Sequence, residues 1–229
     1  RKNLENTIAW WVEEFKDDPV GLVIKTNLIK NSVVDRDVTE ARLKNLLSRF
    51  PDRKCKIYLL HGYMSPEEMT ALYQHPKIKC MVSLTHGEGF GLPLFEAAYN
   101  KIPIIAPAWS GHVDFLSAPR KVRKNKKTVK KIVQCFAPVK YDLNNVQPAC
   151  VWEGVIQGDA KWCFPRADSY KKQLRNVYTN NARFQKMAVD LKTHIDKTFT
   201  PKGQHDKFAE AVNKAFGAAL PALKIMSFD

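Results

Sequence analysis

Residues 83–106 read SLTHGEGFGLPLFEAAYNKIPIIA, and the reading of this stretch decides the fold. An apolar run ends in a loop with glycines at 87, 89 and 91, a helical segment begins around Pro93, and a second apolar run closes the unit. Alternating glycines let the backbone bend sharply between a strand and a helix and come close to a ligand. Pro93 suits the first position of a helix, where its missing N–H costs nothing. Two carboxylates, Glu88 and Glu96, sit within this strand–loop–helix unit.

Working outward, the same alternation recurs. Upstream, residues 3–16 place Leu4, Ile8, Trp11, Val12 and Phe15 on one helical face. Residues 20–25 and 56–60 are short apolar strands, and 38–50 is an amphipathic helix closed by Pro51. Ser65, Pro66 and Glu68 spell a helix start with a capping box, running to Pro76. Residues 80–84 and 102–106 are the third and fourth strands. Short apolar strands alternating with amphipathic helices predict an α/β chain with a Rossmann-like parallel sheet covered by helices on both faces. In such sheets the ligand lies beyond the carboxyl ends of the strands, where the glycine loop falls. Beyond residue 120 the pattern loosens into extended pieces around 132–143 and 155–165, followed by helices at 168–180, 182–199 and 205–217, the last stopped by Gly217. With no internal repeat or low-complexity linker, residues 1–229 are expected to form a single domain.

Composition narrows the classes. The 229 residues are 45% hydrophobic and 26% charged, ordinary for a globular chain, and no run of about 18 apolar residues is present to span a bilayer. The opening residues resemble neither a secretory signal nor a transit peptide. Five widely spaced cysteines, with no C-x-x-C pair, are expected to be reduced core residues of a cytoplasmic protein. The six histidines show no ligand spacing, so no metal site is expected. Net charge is +14, concentrated in RKVRKNKKTVKK at 120–131, where eight basic residues stand with no acidic one. Such a run reads as a solvated loop or a contact for an anionic membrane surface, placing the protein in the cytoplasm or at a membrane periphery. It holds no aromatic residue to stack on bases, which counts against nucleic acid.

The loop suggests its own chemistry. Backbone amides around Leu92, Leu94 and Phe95, aided by the helix dipole, would receive phosphate. Glu96, expected in the first helical turn, would repel a phosphate at close range, and a carboxylate that only accepts hydrogen bonds suits the paired hydroxyls of a ribose. Glu88 could take a sugar on the other side of the diphosphate. The residues together describe a nucleotide sugar.

HGEGFGLPLFEA also resembles the E-x7-E signature of retaining GT-B glycosyltransferases of the glycosyltransferase family 4 type, since seven residues separate Glu88 from Glu96. RKNLENT, LLHGYMSPEEMTALY and IPIIAPAWSGHVDFL are similar to further segments of that family's C-terminal domain, so the resemblance covers roughly residues 1–116 and echoes weakly in GDAKWCFP. It implies transfer of a sugar from a nucleotide diphosphate sugar to an acceptor hydroxyl with retention of configuration. By matched position, Glu96 would bind the ribose. Glu88, with the amides of Gly89, Phe90 and Gly91, would hold the sugar, and Leu92 would face the diphosphate. Lys2 resembles the family's phosphate-binding lysine, Tyr63 lies in the loop bordering the base, and Lys25 is a further phosphate candidate. Glu88 and Lys2 are the implied catalytic pair. No metal or other cofactor is implied, because lysine and the helix N-terminus would meet the leaving diphosphate.

A complete enzyme of this type has two Rossmann-like domains. The resemblance therefore implies a donor-binding half whose acceptor-binding N-terminal partner is absent from this sequence. Other readings of the same residues are a GT-B-fold epimerase or phosphorylase, a nucleotide-binding module without transferase activity, a scaffold with a decayed pocket, and a basic module for nucleic acid or membrane. His86 and His112 border the loop and serve equally well as structural residues.

Overall fold

The computed structural model describes residues 2–28, 31–124 and 127–217; Arg1, residues 29–30 and 125–126, and the last twelve residues lie outside it. The chain opens with helix α1 (Leu4–Phe15), strand β1 (Gly21–Lys25), helix α2 (Val33–Leu47) and strand β2 (Lys56–Leu60). Helix α3 (Pro66–Gln74), strand β3 (Met81–Val82), helix α4 (Leu92–Tyr99), strand β4 (Ile104–Pro107) and the short α5 (His112–Phe115) follow. Four further strands are β5 (Ser117–Lys124), β6 (Lys127–Gln134), β7 (Ala137–Val139) and β8 (Tyr141–Asn145). Strand β9 (Lys161–Pro165) and helices α6 (Ala167–Thr179), α7 (Asn181–Thr198) and α8 (Pro201–Phe216) complete the described chain.

The expected parallel arrangement is present and falls into two ladders. One pairs β1 with β2, from Gly21 opposite Lys56 to Lys25 opposite Leu60. The other runs in the order β3-β4-β7, also parallel throughout. Alternation along β4 explains why helices must cover both faces, since successive strand residues point to opposite sides. Ile105 packs with Ile8, Val12, Ile24, Leu43, Val139, Tyr170 and Leu174, contributed by α1, α2 and α6 with their strands. Its neighbours Ile104 and Ala106 pack with Leu94, Ala97, Phe115, Leu191 and Ile195 from α4, α5 and α7. Burying each large aliphatic side chain is worth about 1.5–3 kcal/mol. The two clusters therefore hold the sheet from opposite sides.

Local rules set most boundaries. Ser65 accepts from the Glu68 N–H at 3.2 Å while the Ser65 N–H donates to the Glu68 carboxylate at 2.7 Å, so the capping box closes as its letters require. Two helices start earlier than hydrophobic periodicity predicts. Helix α2 begins at Val33 because Ser32 accepts from the Asp35 N–H at 3.1 Å. Helix α8 begins at Pro201 because Thr200 accepts from the Gly203 N–H at 3.1 Å. In both, a side-chain cap settles the start ahead of the segment that periodicity marks.

The basic run needs correction. Instead of a loop it forms a two-stranded antiparallel ribbon, β5–β6, with Ser117 opposite Gln134 and Lys124 opposite Lys127. A second antiparallel pair, β8–β9, occupies the loosely patterned region. The cysteines are free thiols; Cys55, Cys135 and Cys163 are buried, and burial pushes the Cys163 thiol up to about 12. No helix among the described residues is long and apolar enough to cross a membrane.

Candidate functional site

The glycine loop leaves the end of β3, where the fold places a ligand. Its shape is imposed from the segment after β4. The Glu88 N–H donates to Ser110 Oγ at 2.9 Å, and the Ser110 hydroxyl and Gly111 N–H donate to the Glu88 carbonyl at 2.6 and 3.1 Å. Ser110 itself adopts a φ of 86°, unusual for a residue with a side chain. Gly111 is required by proximity: a Cβ there would lie 1.8 Å from the Gly89 carbonyl oxygen. Gly91 is required by conformation, with a φ of 89° and His112 Cβ 3.2 Å from where its own Cβ would stand. On the other flank, His86 Nδ1–H donates to the Cys163 carbonyl at 2.5 Å, the Cys163 N–H donates back to the His86 carbonyl at 3.1 Å, and the imidazole stacks on Trp162. The loop is thus stitched to β9 on one side and to 110–111 on the other.

Held this way, the loop presents two chemistries. The first is ionic. Lys2 Nζ lies 2.5 Å from Glu88 Oε1, with the lysine 57% exposed and the carboxylate 9% exposed. An ammonium has three donors, so a lysine engaged with one carboxylate retains two for an incoming anion. The second is a row of donors: among the described residues, the N–H groups of Gly89, Phe90, Gly91 and Leu92 make no hydrogen bond. They precede and open α4, whose dipole adds partial positive charge.

This revises the anion site. Leu94 and Phe95 were expected to offer free amides, but both donate to the Gly91 carbonyl, at 2.9 and 3.0 Å. Pro93 occupies the second helical position because α4 begins at Leu92. For the same reason Glu96 lies beyond the first turn. It is exposed and accepts from the buried Tyr73 hydroxyl at 3.3 Å, whose acidity is suppressed by burial and then by the Glu96 charge.

The remaining candidates separate into a second group. Lys25 Nζ donates to the Gly62 carbonyl at 2.5 Å, next to Tyr63, which is 76% exposed. Both lie at the carboxyl ends of β1 and β2. A groove of about 760 Å³ is lined by Lys2, Asn6, Thr26, Leu28, Arg42, Arg49 and His86 among others. The structure therefore joins Lys2, Glu88 and the loop amides directly, and places Lys25 and Tyr63 with each other. Glu96 meets Tyr73 and no other candidate. Among the described residues no cluster of three or more histidine, cysteine or acidic side chains is grouped as metal ligands would be. Sequence reasoning gave no role to Ser110, Gly111 or Trp162, because their contacts to the loop span 22 or more residues; the S-G after an apolar strand was the available signal.

His112 is fully buried behind Gly91. Its Nε2–H donates to the Pro107 carbonyl at 2.8 Å, and Nδ1 is without a partner among the described residues. Burial lowers its pKa below the ordinary histidine value. Above about pH 6.5 the ring is neutral folded or unfolded and contributes no pH dependence. As pH falls below that, the unfolded chain takes up the proton first and stability declines, with a slope of at most about 1.4 kcal/mol per pH unit. His194, shifted the same way by burial and Lys207, adds to the trend. Thermal unfolding is expected to soften between about pH 7 and 5, and His112→Gln should flatten part of that slope; an unchanged slope in the variant refutes the assignment to His112.

Parallel strands with helices on both faces and a glycine loop at the strand ends define an α/β fold of the GT-B architecture. Residues 39–119, which include the loop, match the family "Glycosyl transferases group 1". Sucrose-phosphate synthase from Thermosynechococcus elongatus is similar in structure, with a TM-score of 0.56 and 14% identity over 96% of this chain and 44% of that one. The chain thus spans less than half of that structure's length. A chain of the GtfA/B complex aligns with a TM-score of 0.44 and 12% identity over 86% of this chain and 36% of its own. No curated protein matches the sequence.

Proposed function

We propose that this chain is the donor-binding unit of a glycosyltransferase that moves a sugar from a nucleotide diphosphate sugar to an acceptor hydroxyl with retention of configuration. The observation that carries the reading is the Lys2–Glu88 pair at 2.5 Å beside open backbone N–H groups at the start of α4. A diphosphate is the anion that such a site fits, with loop amides on one side and an ammonium on the other. The bond from the anomeric carbon to the diphosphate breaks while the acceptor oxygen bonds to that carbon and passes its proton to an oxygen of the leaving diphosphate. Negative charge grows on the leaving diphosphate, where Lys2 and the loop amides stabilise it without needing to reorganise. Glu88 holds the sugar hydroxyls, and exposed Glu96 takes the ribose. Tyr63 borders the base and Lys25 adds positive charge at the strand ends. The acceptor site would come from a partner domain outside residues 1–229. The match of residues 39–119 to the group 1 glycosyl transferases supports this reading.

The test is calorimetric titration of the chain with a panel of nucleoside diphosphates and their sugar conjugates, with Glu96→Ala measured in parallel. One base should bind preferentially, and the variant should weaken it by about 10–100-fold, the worth of hydrogen bonds to a charged group. Failure of every nucleotide to bind, or equal affinity in the variant, refutes the ribose assignment.

A further inference from the structure

Among the described residues, the β5–β6 ribbon supplies none to the lining of the groove. It pairs with no other strand among the described residues. Its base is fixed: Ala118 and Cys135 are buried, and Arg120 reaches Asp190 on α7 at 2.9 Å. Away from the base, residues 128–132 of β6 are all exposed. Successive strand residues point to opposite faces, so exposure of consecutive positions means that both faces are open. Lys130 and Lys131 accordingly put a positive charge on each face. The register adds to this by setting Arg120 opposite Lys131. Directly opposed like charges destabilise a strand pair, a cost that a dense anionic partner would relieve.

We propose that this ribbon is a docking arm for double-stranded DNA, entering the major groove and binding without sequence preference. The two-faced distribution of charge selects the partner. A bilayer surface is planar and meets one face of a ribbon, leaving the lysine on the other face without a counter-charge. A groove has phosphates on both walls. The major groove of B-form DNA, about 12 Å wide, admits a two-stranded β-ribbon, whereas that of A-form RNA is deep and narrow. The lack of aromatic residues in 120–131 disfavours unpaired strands, which are held by stacking, and leaves duplex binding untouched because phosphate contacts need only charge. Phosphate contacts position a protein without reading bases, hence the absence of sequence preference.

The proposal is independent of the sugar-transfer reading and is tested without it. Fluorescence anisotropy would follow binding of a labelled DNA duplex of about 20 base pairs, long enough for two helical turns, across a salt series. The same sequence as single-stranded DNA and as an RNA duplex would be run beside it, with co-sedimentation on phosphatidylserine–phosphatidylcholine vesicles. The DNA duplex should bind most tightly, with affinity falling steeply as salt rises. The variant K130A/K131A should keep its melting temperature and reduce the log–log salt slope by about two, since each phosphate contact contributes about 0.9. Equal affinity for the single strand or the RNA duplex, an unchanged slope in the variant, or vesicle binding without duplex binding overturns the proposal.

Discussion

Gly111→Ala is expected to abolish nucleotide binding at concentrations that saturate the unsubstituted protein. The added methyl would meet the Gly89 carbonyl oxygen at 1.8 Å and its carbon at 2.8 Å, and backbone cannot swing aside as a side-chain tip can. Either the 87–91 loop or the 109–112 segment must move. If the loop yields, it loses the Ser110 and Gly111 hydrogen bonds that fix the Glu88 main chain, and its open N–H groups no longer converge. Overpacking of this kind costs about 1–3 kcal/mol, a fall of about 2–12 °C in melting temperature for a chain of this size. Misplacing donors to a charged ligand costs roughly a further 10–100-fold in affinity for each one lost. Calorimetry and thermal melts on the purified variant measure both. A variant that melts lower but binds nucleotide normally would show that the loop's geometry is set elsewhere.

The second large effect concerns the pair at the mouth of the site, where two variants should part company. Lys2→Ala removes positive charge near the diphosphate and should weaken a nucleoside diphosphate and its sugar conjugate alike, by about 10–100-fold. Glu88→Gln keeps the shape of the side chain but loses its charge. If Glu88 holds the sugar, the conjugate should lose affinity by about tenfold or more while the bare diphosphate is little affected. Neither change should shift the melting temperature by more than about 4 °C, because an ion pair with a partner this exposed contributes about 0–1 kcal/mol. Equal losses for both ligands in Glu88→Gln would place that carboxylate on the diphosphate side, holding Lys2, and remove it from sugar recognition.

What the sequence made legible was what short-range physics determines. The Ser65–Glu68 capping box spans four residues, and β2 is a compact apolar run; both appear where their letters put them. The strand–glycine loop–helix unit was equally readable, along with the carboxylates it carries. Legibility failed where charge masks periodicity or where the determining partner is distant. Closely spaced lysines and arginines in 120–131 hide the alternation that usually announces a strand. Helix α4 starts one residue before its proline, so Glu96 passes out of the first turn and the Leu94 and Phe95 amides are spent on the Gly91 carbonyl. Ser110 and Gly111 meet the loop only because β3 and β4 are neighbours, which no local window contains.

The two anchors of the glycine loop lie on either side of the matched segment's end. Ser110 and Gly111 fall within residues 39–119, whereas Cys163, with Trp162 beside it, comes more than forty residues later. Recognisable letters and a working cradle therefore have different extents. Transplanting residues 39–119 into another scaffold would carry over both glutamates and all three glycines yet leave His86 without the carbonyl and the indole that seat it. The smallest transferable unit of this site is a knot of three strand ends, and it reaches at least as far as Pro165.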